Sequence, residues 1–402
     1  MASGSSLPLP HKPPKLGHKK SMFGCQRCRA RRVKCNEEKP ICYNCKRHGL
    51  PCIYDRDASA KTSGKSSLAQ SPPYKSEESD PPESRTRRMT ETRLMHQYVV
   101  ETGEALAIDL RTRDLFSRII PKYALNSDAL LYSMYALSAL HLAKLGRGQE
   151  IVGGAENAAN MYYSMAVREH KKELSNVNRQ TADAVCLTSC LIRAVALLQL
   201  EGRSLQPYTP PWQCFALIQA STSTFVEVVK RMGPDPQSPV FQLIRDTRSI
   251  HNNGKPPDVR DYDRLRHLMD RSDKIRALEP WDEDIQATYE VTLTYLCTIF
   301  DLIDEQGLST AILRRLIMFP MLAGRKFVEL VREGASRSLV ILAHYFALLT
   351  KFEHIWWVAS VGADELRAIA GVLPDAWQGL LAWPLKAIET KEFQCPWTSS
   401  SI

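Results

Sequence analysis

Six of the eleven cysteines in this 402-residue chain lie within one stretch of twenty-eight residues, CQRCRARRVKCNEEKPICYNCKRHGLPC. Each half of the stretch follows a C-x2-C-x6-C pattern, and the second half begins seventeen positions after the first. Closely spaced cysteines in a reducing compartment are metal ligands more often than disulfide partners. The candidate ligands are Cys25, Cys28, Cys35, Cys42, Cys45 and Cys52.

Zinc is the metal that this donor set favours, because structural zinc sites are tetrahedral and take four ligands. Six thiolates either complete one site and leave two sulfurs over, or complete two sites if two sulfurs bridge both ions. The repeat favours the second solution, since each half then supplies one bridging sulfur, and symmetry makes Cys25 and Cys42 the bridging candidates. Because a segment of about thirty residues buries too little apolar surface to fold alone, this one is predicted to be unfolded without zinc.

The positive charge of the chain is concentrated on this segment and on the arm before it. Residues 1–57 carry thirteen Lys or Arg against four Asp or Glu, which accounts for the whole net charge of +9. The other residues hold forty charged groups of each sign. This distribution is typical of a polyanion-binding module attached to a neutral body. Residues 1–22 are predicted to form a flexible basic arm. Its Lys12, Lys15, Lys19 and Lys20 either add phosphate contacts or serve nuclear import, with a solvated tail without specific function as an equal alternative.

The two halves of the repeat differ in charge, and the difference favours the first half as the side that reads DNA. Its helix-compatible residues 26–34 include five Lys or Arg, whereas residues 43–47 of the second half include two. Arginine can bind guanine O6 and N7 bidentately in the major groove, and a lysine beside a ligand suits a phosphate. A solvated charge that touches only phosphates is the alternative for each residue. The candidate DNA contacts are Arg29, Arg31, Arg32 and Lys34.

The stretch GCQRCRARRVKCNEEKPICYNCKRHGLPCIY resembles the fungal zinc binuclear cluster, or Zn2Cys6, family of transcription factors. The resemblance rests on the six cysteines, the basic run before the third, Pro40 and the aromatic residue two positions after the last cysteine. It implies that Cys25 and Cys42 bridge two zinc ions, and that the first helix reads a CG-containing triplet such as CGG. This chain departs from the family in having Arg31 and Arg32 where Lys is frequent.

The composition changes after the cysteine segment, where Ser, Pro and charged residues dominate positions 55–88. Such a composition predicts a linker, and because no apolar heptad follows Cys52, the zinc module by itself predicts no dimer. We therefore expect four parts: a disordered basic arm (1–22), a Zn2Cys6 DNA-binding domain (23–54), a disordered linker (55–88) and an all-α regulatory domain (89–395).

The sequence from about position 89 onward predicts helices and almost no strands. At helical spacing, one face is marked by Leu131, Tyr135, Ser138, Leu142 and Leu145, and the side next to it by Leu130, Met134 and Leu137. No run of eighteen apolar residues predicts a membrane span. The expected fold class is therefore a small Zn2Cys6 cluster domain plus a large all-α regulatory domain. Further helical segments are predicted at residues 155–174, 182–200, 214–231, 262–278, 284–304, 309–319, 337–359 and 375–389.

The phrases LMHQYVVET, LLYSMYALSALHLA, LVILAHYFALLTKFEHIWWVASVG and AWQGLLAWPL are similar to the helical domain of fungal regulators of the sterol uptake control protein type. This resemblance implies a regulatory domain, with homodimerisation and a hydrophobic small-molecule ligand as two expectations for it. Late tryptophans could line a ligand pocket, but aromatic residues on buried helices are more often core packing. These are Trp356, Trp357, Trp377 and Trp383.

The chain is predicted not to be an enzyme, because it lacks G-x-S-x-G, H-E-x-x-H, a phosphate-binding loop and a dinucleotide fingerprint. Its first twenty residues contain no apolar segment of the secretory kind, so we expect an intracellular protein and, for a DNA-binding regulator, the nucleus. The predicted function is that of an RNA polymerase II transcription factor, an activator of a metabolic gene set, that binds double-stranded DNA.

Three alternatives stay open at this point. The chain could regulate a secondary-metabolite gene cluster, or it could be a sterol-responsive regulator whose helical domain binds a ligand. From a different class, a zinc-dependent protein-interaction adaptor is distinguished by salt. DNA binding weakens steeply as salt rises, because Lys and Arg release phosphate counterions, whereas an adaptor predicts little salt dependence.

Overall fold

The computed structural model describes residues 23–31, 33–48, 50–54, 83–233, 235–241 and 261–389. These residues fall into two compact units, one within positions 1–78 and the other within positions 79–402. Helices and turns make up both units, and no β-strand occurs in the ranges just given. The predicted fold class, a small cysteine cluster domain followed by a large all-α domain, is therefore confirmed.

The first unit, which we call the cluster module, contains two short helices, α1 (Gln26–Ala30) and α2 (Tyr43–Arg47). Each helix begins directly after the first cysteine of its half. Helix α1 is shorter than the predicted segment 26–34, because the chain must turn to bring Cys35 back to the other sulfurs. The turn is held by Val33, whose N–H donates to the carbonyl of Cys28 at 3.0 Å.

The second unit, which we call the helical unit, begins with eight helices. Two single turns of π-helix, Tyr98–Thr102 and Leu115–Ile119, connect α3 to α4 and α5 to α6 without a break in the helical path. Helix α7 packs against both α8 and α9, and α9 also packs against α10. The eight are α3 (Arg85–Gln97), α4 (Gly103–Leu106), α5 (Leu110–Asp114), α6 (Ile120–Ala124), α7 (Asp128–Lys144), α8 (Ala155–Leu174), α9 (Ala182–Leu198) and α10 (Trp212–Met232).

Eight more helices complete the described part of this unit. A 3-10 segment, Asp263–Met269, precedes them, and α15 lies among α12, α13, α14, α16 and α18. They are α11 (Asp273–Arg276), α12 (Glu283–Gln306), α13 (Thr310–Leu322), α14 (Gly324–Arg332), α15 (Ser336–Leu349), α16 (Val361–Val372), α17 (Asp375–Gln378) and α18 (Ala382–Glu389).

Several predicted boundaries differ from the structure. The segment 375–389 divides into α17, a 3-10 turn (Gly379–Leu381) and α18. Helix α3 starts at Arg85, inside the predicted linker, because Ser84 caps it by accepting the N–H of Arg87 at 3.1 Å. The segment 262–278 divides into 3-10 turns and α11, since Ser272 caps a new helix there. The segment 337–359 is helical only to Leu349 in α15, followed by a 3-10 turn and irregular turns that end in Ala359 at a φ of 45°.

A single large apolar core holds the helical unit together. Its members come from almost every helix, and they include Tyr135 and Leu142 of the predicted face and Leu130, Met134 and Leu137 beside it. Leu145, at the end of the predicted face, is instead 47 % exposed. The late tryptophans belong to this core or pack against it, as the core-packing interpretation expects: Trp377 is fully buried, and Trp383 stacks on His344 with ring centroids 5.5 Å apart. No helix in the described ranges has the length and apolar character needed to cross a membrane.

A charged pair also lies inside this unit. Arg337 is fully buried, and its guanidinium binds the Glu279 carboxylate through two nitrogens at 2.7 and 2.9 Å. The same guanidinium lies 5.2 Å from the ring of Trp281 and 5.1 Å from that of Trp377. It also donates to the carbonyls of Leu268 and Asp270, so it ties the end of the 3-10 segment to α15. Buried charge is tolerated only with such compensation.

Candidate metal centre and nucleic-acid interface

The six clustered cysteines converge on one sulfur-lined site in the cluster module. Five of them are at most 2 % exposed, and Cys52 is half-buried. Sγ of Cys25 lies 3.7 Å from Sγ of Cys42 and of Cys45, and Sγ of Cys28 lies 3.6 Å from Sγ of Cys42. Sulfur replaces the usual apolar side chains as the interior of this unit.

The sulfurs form two sets of four, and the atoms within each set lie within 4.8 Å of one another. Both sets contain Cys25 and Cys42. Four thiolates at this separation fit the tetrahedral coordination of zinc, and two tetrahedra that share two sulfurs need six cysteines. One set consists of Cys25, Cys28, Cys35 and Cys42, and the other consists of Cys25, Cys42, Cys45 and Cys52.

Backbone hydrogen bonds repeat between the two halves as the sequence repeat does. The N–H of Cys25 donates to Sγ of Cys35 at 3.4 Å, and the N–H of Cys42 donates to Sγ of Cys52 at 3.3 Å. In each half, therefore, the first cysteine orients the sulfur of the third. N–H groups that face a sulfur partly neutralise a thiolate and orient it for a metal.

The protonation of the thiols depends on the same contacts. Burial raises the pKa of Cys28, and it raises the pKa of Cys45 to about 12. Burial also acts to raise the pKa of Cys35, but hydrogen bonds, chiefly those from the N–H groups of Cys25 and Glu37, outweigh it and lower this pKa to about 7. Thiols with raised pKa values become ligands only when a metal displaces their protons, so metal binding here must be weaker in acid.

Three polar side chains join the halves of the module, and the sequence had drawn attention to Tyr54 alone among them. The N–H of Tyr43 donates to Oδ1 of Asn36 at 2.9 Å, and Nδ2 of Asn44 donates to the carbonyl of Lys34 at 2.7 Å. The hydroxyl of Tyr54 donates to the carbonyl of Glu38 at 2.8 Å. Only the position of Tyr54, two residues after the last cysteine, carried any signal in the sequence.

The basic residues of the first half differ in exposure. Arg31 and Lys34 are exposed beyond the end of α1, and Arg29 is half-buried on the helix. Arg27, which was not among the candidate contacts, is exposed on α1 as well. Arg32 lies outside the described residues. The exposed charges of this half can therefore meet a polyanion, with Arg29 less accessible than its neighbours.

Two parts of the chain match known families. Residues 23–61 match the fungal Zn(2)-Cys(6) binuclear cluster domain, and residues 93–198 match the fungal specific transcription factor domain. The first match includes all six clustered cysteines. The second covers the early helices of the helical unit, from α3 to α9.

Curated proteins resemble the chain over most of its length. It is 32 % identical to the Zn(2)-C6 fungal-type transcription factor afumD of Aspergillus fumigatus, across 83 % of this chain and 87 % of that protein. It is 24 % identical to a Zn(2)-C6 fungal-type transcription factor of Gibberella zeae, across 93 % of this chain and 87 % of that protein. It is 27 % identical to Sterol uptake control protein 2 of Candida albicans, across 68 % of this chain and 39 % of that protein.

Proposed function

The chain belongs to the fungal Zn(2)-C6 family of transcription factors, and from that premise we propose how its cluster module binds metal and DNA. It is a sequence-specific DNA-binding regulator of transcription that carries two zinc ions, and it is not an enzyme. We propose which cysteines bind each zinc ion, which basic residues contact DNA and which kind of gene the protein regulates.

Each zinc ion is held by one of the two sulfur sets, with Cys25 and Cys42 bridging both ions. The observation that carries this assignment is that these two cysteines are the members common to both sets. Cys28 and Cys35 complete the first site. The terminal ligands Cys45 and Cys52 complete the second. Bound zinc supplies the folding energy that a module of this size cannot obtain from apolar burial.

The first half of the module faces DNA, with α1 and the turn after it in the major groove. Arg31 and Arg32 contact the bases of a CG-containing, CGG-like site, Arg29 supports them from the helix, and Lys34 contacts a phosphate. Exposure of Arg31 and Lys34 and the excess of basic residues in this half support the assignment. The second half, with only Lys46 and Arg47 on α2, packs behind it.

Selection of bound fragments from genomic DNA by the full chain tests this function and identifies the target genes. We expect an enriched CG-containing motif, and an affinity for it that falls steeply between about 50 and 200 mM salt. Enrichment of no motif, or an affinity that salt leaves unchanged, would instead support the protein-interaction adaptor.

The regulatory role that we propose is activation of a metabolic gene set by RNA polymerase II in the nucleus. Similarity to afumD and to the Gibberella zeae factor supports the transcriptional role, while the choice of genes rests on the selection experiment. Regulation of a secondary-metabolite gene cluster is one form of this role. A reporter gene behind the selected motif should be expressed less when the chain is deleted; higher expression would make the protein a repressor.

A sterol-responsive role is the second candidate, and the similarity to Sterol uptake control protein 2 is the observation that favours it. In this role the helical unit forms a homodimer and holds a hydrophobic ligand between its helices. Light scattering of the full chain should then show a dimer. A thermal melt of the same protein should show a midpoint that rises when a sterol is added. A monomer with unchanged stability would leave the sterol-independent role.

A further inference from the structure

The last described residues of the cluster module cross back to its first half. The carbonyl of Ile53 accepts the N–H of Gln26 at the start of α1, at 2.8 Å, and Leu50 donates its N–H to the carbonyl of Cys45 at 3.0 Å. Tyr54 follows and is half-buried against the sulfur cluster. The segment 50–54 is therefore tied to both halves of the module.

The side chain of Tyr54 meets the loop that follows Cys35. Its hydroxyl donates to the carbonyl of Glu38 at 2.8 Å, and its oxygen lies 3.7 Å from Sγ of Cys35. The ammonium of Lys39 lies 5.8 Å from the centroid of the ring. The hydroxyl of Tyr54 thus contacts both the loop and the sulfur of Cys35. The face of its ring lies near the ammonium of Lys39.

These contacts break the symmetry of the cysteine repeat. Cys35 and Cys52 are equivalent in sequence, and each accepts an N–H from the first cysteine of its half. Cys35 nevertheless is 2 % exposed, while Cys52 is half-buried. The Tyr54 hydroxyl lies beside Cys35 and has no counterpart in the repeat, because the position seventeen residues earlier is Glu37.

We propose that Tyr54 is a positioning residue of the metal centre, whose hydroxyl clamps the loop at Glu38 and thereby holds Cys35 against its zinc ion. This inference rests on the proposed ligand assignment. Groups that orient metal ligands from outside the coordination shell typically change metal affinity by about 10- to 100-fold when removed. Retention of zinc then depends on Tyr54 as well as on the six cysteines.

The test compares Tyr54→Phe with Tyr43→Phe in the full chain. Both variants lose one tyrosine hydroxyl from the same module and keep the ring, but Tyr43 is 60 % exposed on α2. With a chromogenic chelator in excess, Tyr54→Phe should release zinc roughly 10-fold faster than the wild-type chain, and Tyr43→Phe should match the wild type within about twofold. Equal release rates for all three proteins would overturn the proposal.

A spectroscopic measurement separates positioning from general loosening of the module. In the full chain loaded with ¹¹³Cd, removal of the Tyr54 hydroxyl should shift one of the two cadmium resonances further than the other, since the hydroxyl lies beside Cys35. Equal shifts of both resonances would mean that the hydroxyl acts on the whole module, and would overturn the assignment to Cys35. Zinc counting on the wild-type chain is the reference: fewer than two ions would refute the ligand assignment itself, whereas two ions with unchanged release in Tyr54→Phe would refute only the role of Tyr54.

Discussion

The cluster module and the helical unit have opposite kinds of interior. In its described residues, the module buries five cysteines and little else, around two helices of five residues each. The helical unit buries aliphatic and aromatic side chains from most of its helices, with ion pairs such as Arg337–Glu279 inside. The first interior is complete only with metal, whereas the second is complete within the polypeptide. Stability and DNA binding should therefore respond separately to different perturbations.

Removal of zinc should have the largest effect, and it should be confined to the module. Chelation of the full chain at neutral pH should abolish the preference for the selected DNA site over random DNA. In specific regulators that preference is about 10³-fold or more. All seven tryptophans lie at or after position 212, so tryptophan fluorescence reports on the helical unit alone. We expect that signal and its denaturation midpoint to stay unchanged.

A shift in the tryptophan denaturation midpoint upon chelation would contradict the separation of the two interiors. Addition of zinc back to the chelated chain is the control. It should restore the DNA preference, because the module folds around the metal rather than being damaged by its loss.

The converse perturbation is Glu279→Gln in the helical unit. Arg337 is fully buried and Arg271 also binds this carboxylate, at 2.9 Å, so loss of the charge leaves a buried guanidinium without its counter-ion. We expect the free energy of unfolding to fall by about 3–5 kcal/mol in chemical denaturation followed by tryptophan fluorescence. The zinc content should remain at two ions per chain.

The matched control is Glu227→Gln, which removes one partner of the exposed i,i+4 pair with Arg231. It should change the free energy of unfolding by no more than about 0.5 kcal/mol. Equal effects of the two substitutions would mean that the buried pair at Arg337 does not stabilise the helical unit.

Within the module, the two halves can be compared by Arg31→Ala and Arg47→Ala. Both arginines are exposed just outside or at the end of a short helix. Loss of a bidentate base contact by Arg31→Ala should cost about 1–3 kcal/mol on the preferred site and relax the sequence preference. Arg47→Ala should weaken binding to all sequences slightly and equally.

Fluorescence anisotropy with the selected site and with a site mutated at one CG position measures both effects. If Arg31→Ala weakens binding to the two sites equally, Arg31 contacts a phosphate and the base contacts lie elsewhere. Neither substitution should change the zinc content, which excludes unfolding of the module as the cause.

The last predicted effect develops only in acid, as a pH dependence inside the helical unit. Burial lowers the pKa of His344 to about 4; its Nδ1 donates to the carbonyl of Val340 at 2.9 Å and its ring stacks on Trp383. As pH falls below the unfolded value near 6.5, the unfolded chain binds a proton that the folded chain refuses. Stability from this group is therefore complete above about pH 6.5 and is lost towards pH 4, by about 2 kcal/mol at pH 5.

His344→Gln isolates this contribution. The variant should be less stable than the wild type at pH 7.5, and the gap should narrow by about 2 kcal/mol at pH 5, because glutamine does not titrate. His170, whose pKa burial also lowers to about 4, titrates equally in both proteins and cancels from the difference. A gap independent of pH would show that His344 is not held neutral in the folded chain.

The cysteine spacing predicted the module better than periodicity predicted the helical unit. Six ligands in a repeat leave few solutions once zinc demands four sulfurs, so the grouping around Cys25 and Cys42 follows from arithmetic and symmetry. The hydrogen bond from Tyr54 to Glu38 does not follow from the cysteine spacing, because a tyrosine hydroxyl can reach many carbonyls and only the fold selects one.

In the helical unit, apolar periodicity identified α8 at the bounds that the structure has, Ala155–Leu174. It failed where a helix ends without a Gly or Pro signal. After Leu349 apolar residues recur at Phe352, Ile355 and Trp356, yet the chain leaves the helical path. The Trp356 indole donates to the carbonyl of Ala105 at 2.9 Å. Tertiary contacts with residues about 250 positions away decide this segment, and local sequence carries no record of them.

Counting zinc ions in Cys42→Ser by native mass spectrometry of the full chain tests the central claim most directly. Cys42 belongs to both sulfur sets, so its loss should remove both ions, from two per chain to none. Cys297→Ser, which changes a buried cysteine of the helical unit, should keep two ions. If Cys42→Ser retained one zinc ion, the two sites would not share this sulfur, and the assignment of Cys42 to both zinc ions would be wrong.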